Sequence, residues 1–144
     1  MKQILFRGIS KLEKKWVYGG IVHQTDFYCD EVDKYFIIDG TNTVDYDIGE
    51  IQEIINETRG QYTCVPDKNG EKLFEGDITT CGMNDENDNW VEHNAVVRYD
   101  SDWGMFVFYM PEIDQDQMLD TAFMVEKLGN IYDNPELLKV DDEK

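Results

Sequence analysis

The densest stretch of residues able to do chemistry runs from Tyr62 to Ile78 and holds Tyr62, Asp67, Asn69, Glu75 and Asp77. A phenol, an amide and three carboxylates so close in sequence suit a polar binding edge. The same residues also suit a plain hairpin. Asn69-Gly70 supplies the two positive φ angles of a tight turn, and Tyr62 and Phe74 can pack across two strands. Gly76 admits a bulge, and Asp77 can accept nearby backbone amides. The hairpin reading is the simpler one, and the five side chains stand as the candidate binding residues.

Other chemistry finds less support. Asp85, Asn87 and Asn89 occupy the first three ligand positions of a calcium loop. Such a loop needs Gly at position six and Glu at position twelve, where Trp90 and Val96 stand. Counting from Asp67 instead puts Ile78 at position twelve. Cys29, Cys64 and Cys81 are far apart, no Cys-x-x-Cys pair exists, and neither His23 nor His93 neighbours a cysteine in sequence. That is neither a zinc pattern nor a disulfide framework. There is no Gly-x-Ser-x-Gly elbow, phosphate loop or dinucleotide fingerprint. Many carboxylates could by chance form a hydrolytic pair, but none is singled out. The expectation is a protein that is not an enzyme and takes no metal or cofactor.

Charge is the strongest compositional signal. The 144 residues carry 31 acidic and 13 basic side chains, a formal −18. Residues 1–20 hold five basic side chains against Glu13 alone, a local +4 that includes Lys11, Lys14 and Lys15. Everything after is acidic. Phosphate contacts need Lys and Arg, so the body disfavours nucleic acid and anionic membranes and favours basic partners. No apolar run approaches the ~20 residues of a membrane helix, and charge interrupts the first seven residues. A reduced cytoplasmic setting is the expectation.

The elements that must position these residues read mainly as short strands. Trp16–Gln24, Tyr35–Ile38, Gln61–Val65, Leu73–Cys81, Asn94–Asp100 and Met105–Met110 are rich in β-formers and separated by turn signals. In Met105–Met110 both faces are apolar, which suits a central strand. The same reasoning places Trp90 and Trp103 with these aromatics in the core rather than on a stacking face. Residues 83–89 and 112–120 read as acidic loops, and Thr121–Ile131 as a strand pair or bent strand. Asn134-Pro135-Glu136 opens a helix of one or two turns. Asp47–Arg59 is ambiguous, because Ile48, Ile51 and Ile55 fit one helical face while β-branching favours a strand. The fold class is mainly β: a small SH3-like barrel or a sandwich of short antiparallel strands with one or two short helices, with α+β as the alternative. One domain over 1–140 is expected, with room for a small N-terminal subdomain 1–58 and a frayed tail 141–144.

Three segments together resemble the YopX family. They are Ile4, Phe6 and Arg7 with Lys15-Trp16-Val17-Tyr18-Gly19; Gly60-Gln61-Tyr62-Thr63 with Asp67-Lys68-Asn69-Gly70 and Phe74-Glu75-Gly76-Asp77-Ile78; and Leu128-Gly129-Asn130-Ile131-Tyr132-Asp133-Asn134-Pro135-Glu136-Leu137-Leu138. The sequence departs from the family pattern at Cys64, where glycine is usual. The resemblance implies a mainly β protein encoded on phage or prophage genomes, without an assigned enzymatic activity. It also implies that Ile51–Ile55 is extended.

The functional expectation is a non-catalytic interaction module with an acidic surface. Its partner is a host or phage protein with a basic surface, and in the sharper form the module mimics nucleic acid. The alternative is a nucleic-acid accessory module using Lys11, Lys14 and Lys15. A hydrolase with an unidentified carboxylate pair is the lesser alternative, and a homodimer through a strand edge stays open.

Overall fold

The computed structural model describes residues 4–25, 33–39 and 50–138. The chain divides into two compact units, Met1–Tyr62 and Thr63–Lys144. Both are built from antiparallel strands, and the helical content described is three short 3-10 turns.

In the first unit, β1 (Phe6–Ile9), β2 (Trp16–Thr25), β3 (Asp33–Asp39) and β4 (Glu50–Ile54) pair in chain order. The ladder runs Arg7↔Tyr18, Ile21↔Ile37 and Ile38↔Ile51. The ambiguous stretch is therefore a strand through Ile54, followed by a 3-10 turn over Asn56–Thr58. Ile48 lies outside the described residues, so the helical spacing it contributes is not at issue. The turn leads into β5 (Gly60–Pro66), whose start pairs with β1 at Phe6↔Gln61.

The end of β4 returns to the end of β1 through one bridge, Ser10↔Ile54. Backbone bonds flank it, Lys11 N–H to Glu53 O and Ile55 N–H to Ile9 O, both at 2.9 Å. An SH3-like barrel would close with a ladder; among the described residues the closure is this single bridge. Gly8 makes it fit, because a Cβ there would stand 2.4 Å from Ile54 Cδ1. Thr58 completes the seam: its hydroxyl accepts the Ile9 N–H at 2.9 Å and donates to Ile55 O at 2.6 Å. Ile37 and Ile54 are buried, and so is Arg7, whose guanidinium lies 4.4 Å over the Trp16 ring in a cation–π contact.

In the second unit β6 (Lys72–Phe74) lies next to β5. The main sheet has the order β10-β9-β8-β7-β11. These strands are β7 (Asp77–Asn84), β8 (Trp90–Asp100), β9 (Met105–Met110), β10 (Gln115–Met118) and β11 (Lys127–Asn130). One face carries Cys81, Ala95, Val97, Phe108 and Met110 into a buried cluster with Leu73, Ala122 and Val125. Burying each larger side chain contributes about 1.5–3 kcal/mol. Burial in an apolar site pushes the Cys81 thiol up to about 11. The opposite face buries Ile78 and Val107, and there Asn94 Nδ2 donates to Leu137 O at 2.8 Å in the 3-10 turn Pro135–Leu138.

Three expectations need correction. β10 lies inside the segment 112–120 that reads as a loop. Leu119–Met124 is a 3-10 turn and only Lys127–Asn130 is strand, where Thr121–Ile131 reads as extended. The spacing of three between Leu119 and Ala122 explains the turn, since i and i+3 eclipse in a 3-10 helix and both can face the core. Finally, β9 is central, with Val107, Phe108 and Met110 buried, but Trp90 and Trp103 stand outside the core at 58% and 77% exposure.

Candidate binding surface

The hairpin that carries most candidate residues is held by buried carboxylates. Asp67 Oδ1 accepts the amides of Asn69 at 2.8 Å and Glu71 at 2.9 Å, and its Oδ2 accepts the Lys127 amide at 2.9 Å. Burial works to raise its pKa; the three backbone amides together outweigh that and hold it below the usual value. Asp77, fully buried, accepts the Phe74 amide at 2.7 Å and lies 3.2 Å from the Lys127 ammonium. Between them, Gly76 adopts φ +90°, donates to Val97 O and accepts from Ile131. Lys127 thus joins Asp67 through its backbone and Asp77 through its side chain.

The five candidate residues are accordingly dispersed. Tyr62 is buried in the first unit, and Asp67 and Asp77 are enclosed in the second. Asn69 is exposed at the turn and Glu75 is half-buried. The structure brings together Asp67 and Asp77, around Lys127. A third turn uses the same device: the Asn130 side chain accepts the amides of Tyr132 and Asp133 and donates to the Asp133 carboxylate.

The basic arm lies at the β1–β2 connection. Lys11 pairs with Glu53 at 2.7 Å and Lys15 with Glu13 at 2.9 Å, and each lysine holds its partner carboxyl below the usual value. Lys14, at φ +59°, is exposed. The nearby aromatics are occupied. Tyr35 stacks on His23 at 4.3 Å and carries the Arg59 guanidinium 3.9 Å from its centroid. Two groups that close need opposite ring faces, so no face is left for a base.

The acidic and apolar exposure lies in the second unit. Thr63–Lys144 holds 20 acidic against six basic side chains, −14, whereas Met1–Tyr62 holds 11 against seven, −4. Glu112 to Glu126 contains five carboxylates and no base. Its groups are ordered by local bonds. Tyr109 donates to Asp114 at 2.7 Å, which raises the phenol pKa, and Arg98 lies over the Tyr109 ring and 3.3 Å from Asp116. Glu112 meets the buried His93 at 2.9 Å. Asp85 folds its own loop by accepting the amides of Asn87 and Asn89. Among the described residues no three His, Cys, Asp or Glu side chains converge as a metal site would require, and no helix is long and apolar enough to cross a membrane.

Beside this segment lies a groove of about 440 Å³. Val65, Leu119, Ala122 and Phe123 give it an apolar lining, with Asp67, Lys68 and Asp120 as charged members. Phe123 is 71% exposed. Of the five candidate binding residues, Asp67 alone lines this groove. Its Ala122–Phe123 wall is not legible in residue types, because a strand reading of Thr121–Ile131 places those side chains differently.

Fold and surface together define a small, mainly β protein whose well-ordered polar residues hold turns and whose exposed chemistry is acidic and apolar. The family model for the YopX protein matches residues 5–139, and the chain belongs to the YopX family. The crystal structure of protein EF1440 from Enterococcus faecalis is similar, with a TM-score of 0.54 and 21% identity over 96% of this chain and 100% of that one; it shares the fold. No curated protein matches the sequence significantly.

Proposed function

We propose that this protein is a non-catalytic interaction module that binds a basic protein of the host or phage through its second unit. The observation that carries the reading is the −14 charge of Thr63–Lys144 combined with exposed Trp90, Trp103 and Phe123. Acidic groups steer a basic partner, and exposed aromatics supply the anchors on which interface energy concentrates. A bare mimic of a phosphate backbone would need the charge and not the aromatics, so protein docking is favoured over simple mimicry. The nucleic-acid alternative is weakened where it was strongest, because Lys11 and Lys15 face carboxylates and Tyr35 is covered on both sides.

Fluorescence anisotropy with two probes tests the reading: a cationic Lys/Arg peptide and a single-stranded oligonucleotide. The peptide is expected to bind at low salt and to be released at about 0.5 M salt, where screening confines charge attraction to a few Å. The oligonucleotide is expected not to bind. Oligonucleotide binding lost on replacing Lys11, Lys14 and Lys15 with Glu would reject the proposal in favour of the accessory-module reading.

A further inference from the structure

We infer that the groove lined by Val65, Leu119, Ala122 and Phe123 is the anchor site of that interaction. It takes one bulky apolar side chain of a partner segment whose neighbouring residues are basic. The inference rests on the proposed function and names its site. The volume, about 440 Å³, is that of a pocket for a large side chain or small ligand. The lining is apolar, and Phe123 stands at its margin with most of its surface in water. Exposed Met118, which precedes the same 3-10 turn, and Met124, which ends it, are further apolar and adaptable side chains on this segment.

Charge complementarity identifies the occupant. Asp67 and Asp120 line the groove against the single base Lys68, and Asp120 belongs to the segment Glu112–Glu126, which has five carboxylates and no base. A second copy of this chain would bring a −18 body against that rim. An acidic or neutral apolar segment would gain the groove and meet repulsion or nothing around it. A basic segment with a Trp, Phe or Leu anchor gains both.

The measurement uses the full chain and three peptides of equal length: Lys/Arg-rich with one central Trp, Lys/Arg-rich without it, and Glu-rich with the Trp. The anchored basic peptide should bind about tenfold more tightly than the anchorless one, the scale set by burying one large apolar side chain. Phe123→Ser should remove that difference while leaving the anchorless affinity unchanged. Phe123 is exposed, so the variant should keep the wild-type melting temperature, and Leu12→Ser, at an exposed apolar position of the first unit, should leave the difference intact. Equal affinity of both basic peptides would overturn the groove and leave the acidic module standing. Failure of both basic peptides to bind would overturn the groove and the acidic module alike. Self-association abolished by Phe123→Ser would make a second copy the occupant.

Discussion

At the scale of single residues, carboxylates do the work of turn formation, and this can be measured. Asp67 is replaced most informatively by Asn, which keeps one acceptor oxygen but can set an amide donor against a donating backbone N–H. Asp67→Asn is expected to cost about 1–3 kcal/mol at pH 7 in chemical denaturation. The pH dependence has a definite sign. The folded pKa of Asp67 lies below its ordinary 3.8, so its stabilisation is complete above that value and fades as pH falls through the folded value. The stability gap between wild type and Asp67→Asn should therefore shrink below about pH 4. Comparing the two proteins removes the opposing effect of relieving self-repulsion as the other carboxylates protonate. Cys64 makes a second test. It adopts φ +71°, in the left-handed region that glycine occupies freely, at the position where the family pattern has glycine. Cys64→Gly is expected to raise stability by up to about 1 kcal/mol, the relief of strain exceeding the added flexibility of the unfolded chain. A destabilised variant would show that the thiol packing outweighs the backbone strain.

At the scale of elements, the seam between β1 and β4 depends on close approach. Gly8→Ala places a methyl 2.4 Å from Ile54 Cδ1 and 3.0 Å from its Cβ and Cγ2. Overpacking of this kind costs about 1–3 kcal/mol. Ile54→Val deletes the Cδ1 atom and should recover part of that loss when combined with Gly8→Ala, a non-additivity that thermal unfolding of the double variant would reveal. The strands were legible because alternation and turn residues mark them: Asn69-Gly70 lies in its turn, although Gly70 alone takes a positive φ there, and β9 sits between two neighbours. The missed elements share a physical cause. β10 is an edge strand of acidic and amide side chains, whose order comes from pairing with β9 and from Arg98 and Tyr109, and a local sequence reading cannot see those partners. The turn Leu119–Met124 is set by its fit to the core, which overrides the β-branching of nearby residues. Trp90 was assigned to the core on hydrophobicity; it lies instead over Gly82, where a Cβ would stand 2.2 Å from its ring. A flat ring needs a bare strand position, and that pairing appears only once β7 and β8 are in register.

At the scale of the whole molecule, the proposed function rests on distribution. The −18 was plain from composition, but its concentration in Thr63–Lys144 emerged only with the division of the chain. The motif-bearing residues, Asp67, Asp77 and Asn130, hold backbone in place, so the segments that make the chain recognisable are those that shape it. Of the groups proposed to bind, Leu119, Ala122 and Phe123 lie in the segment 112–124, and Trp90 and Trp103 lie elsewhere in the second unit, all outside those motifs. The most direct test is to immobilise the full chain and identify what it retains from bacterial host lysate, with nuclease treatment and then a salt wash. The account predicts a basic protein that stays bound after nuclease and leaves at about 0.5 M salt. Retention of nucleic acid alone, or of a protein indifferent to salt, would contradict it.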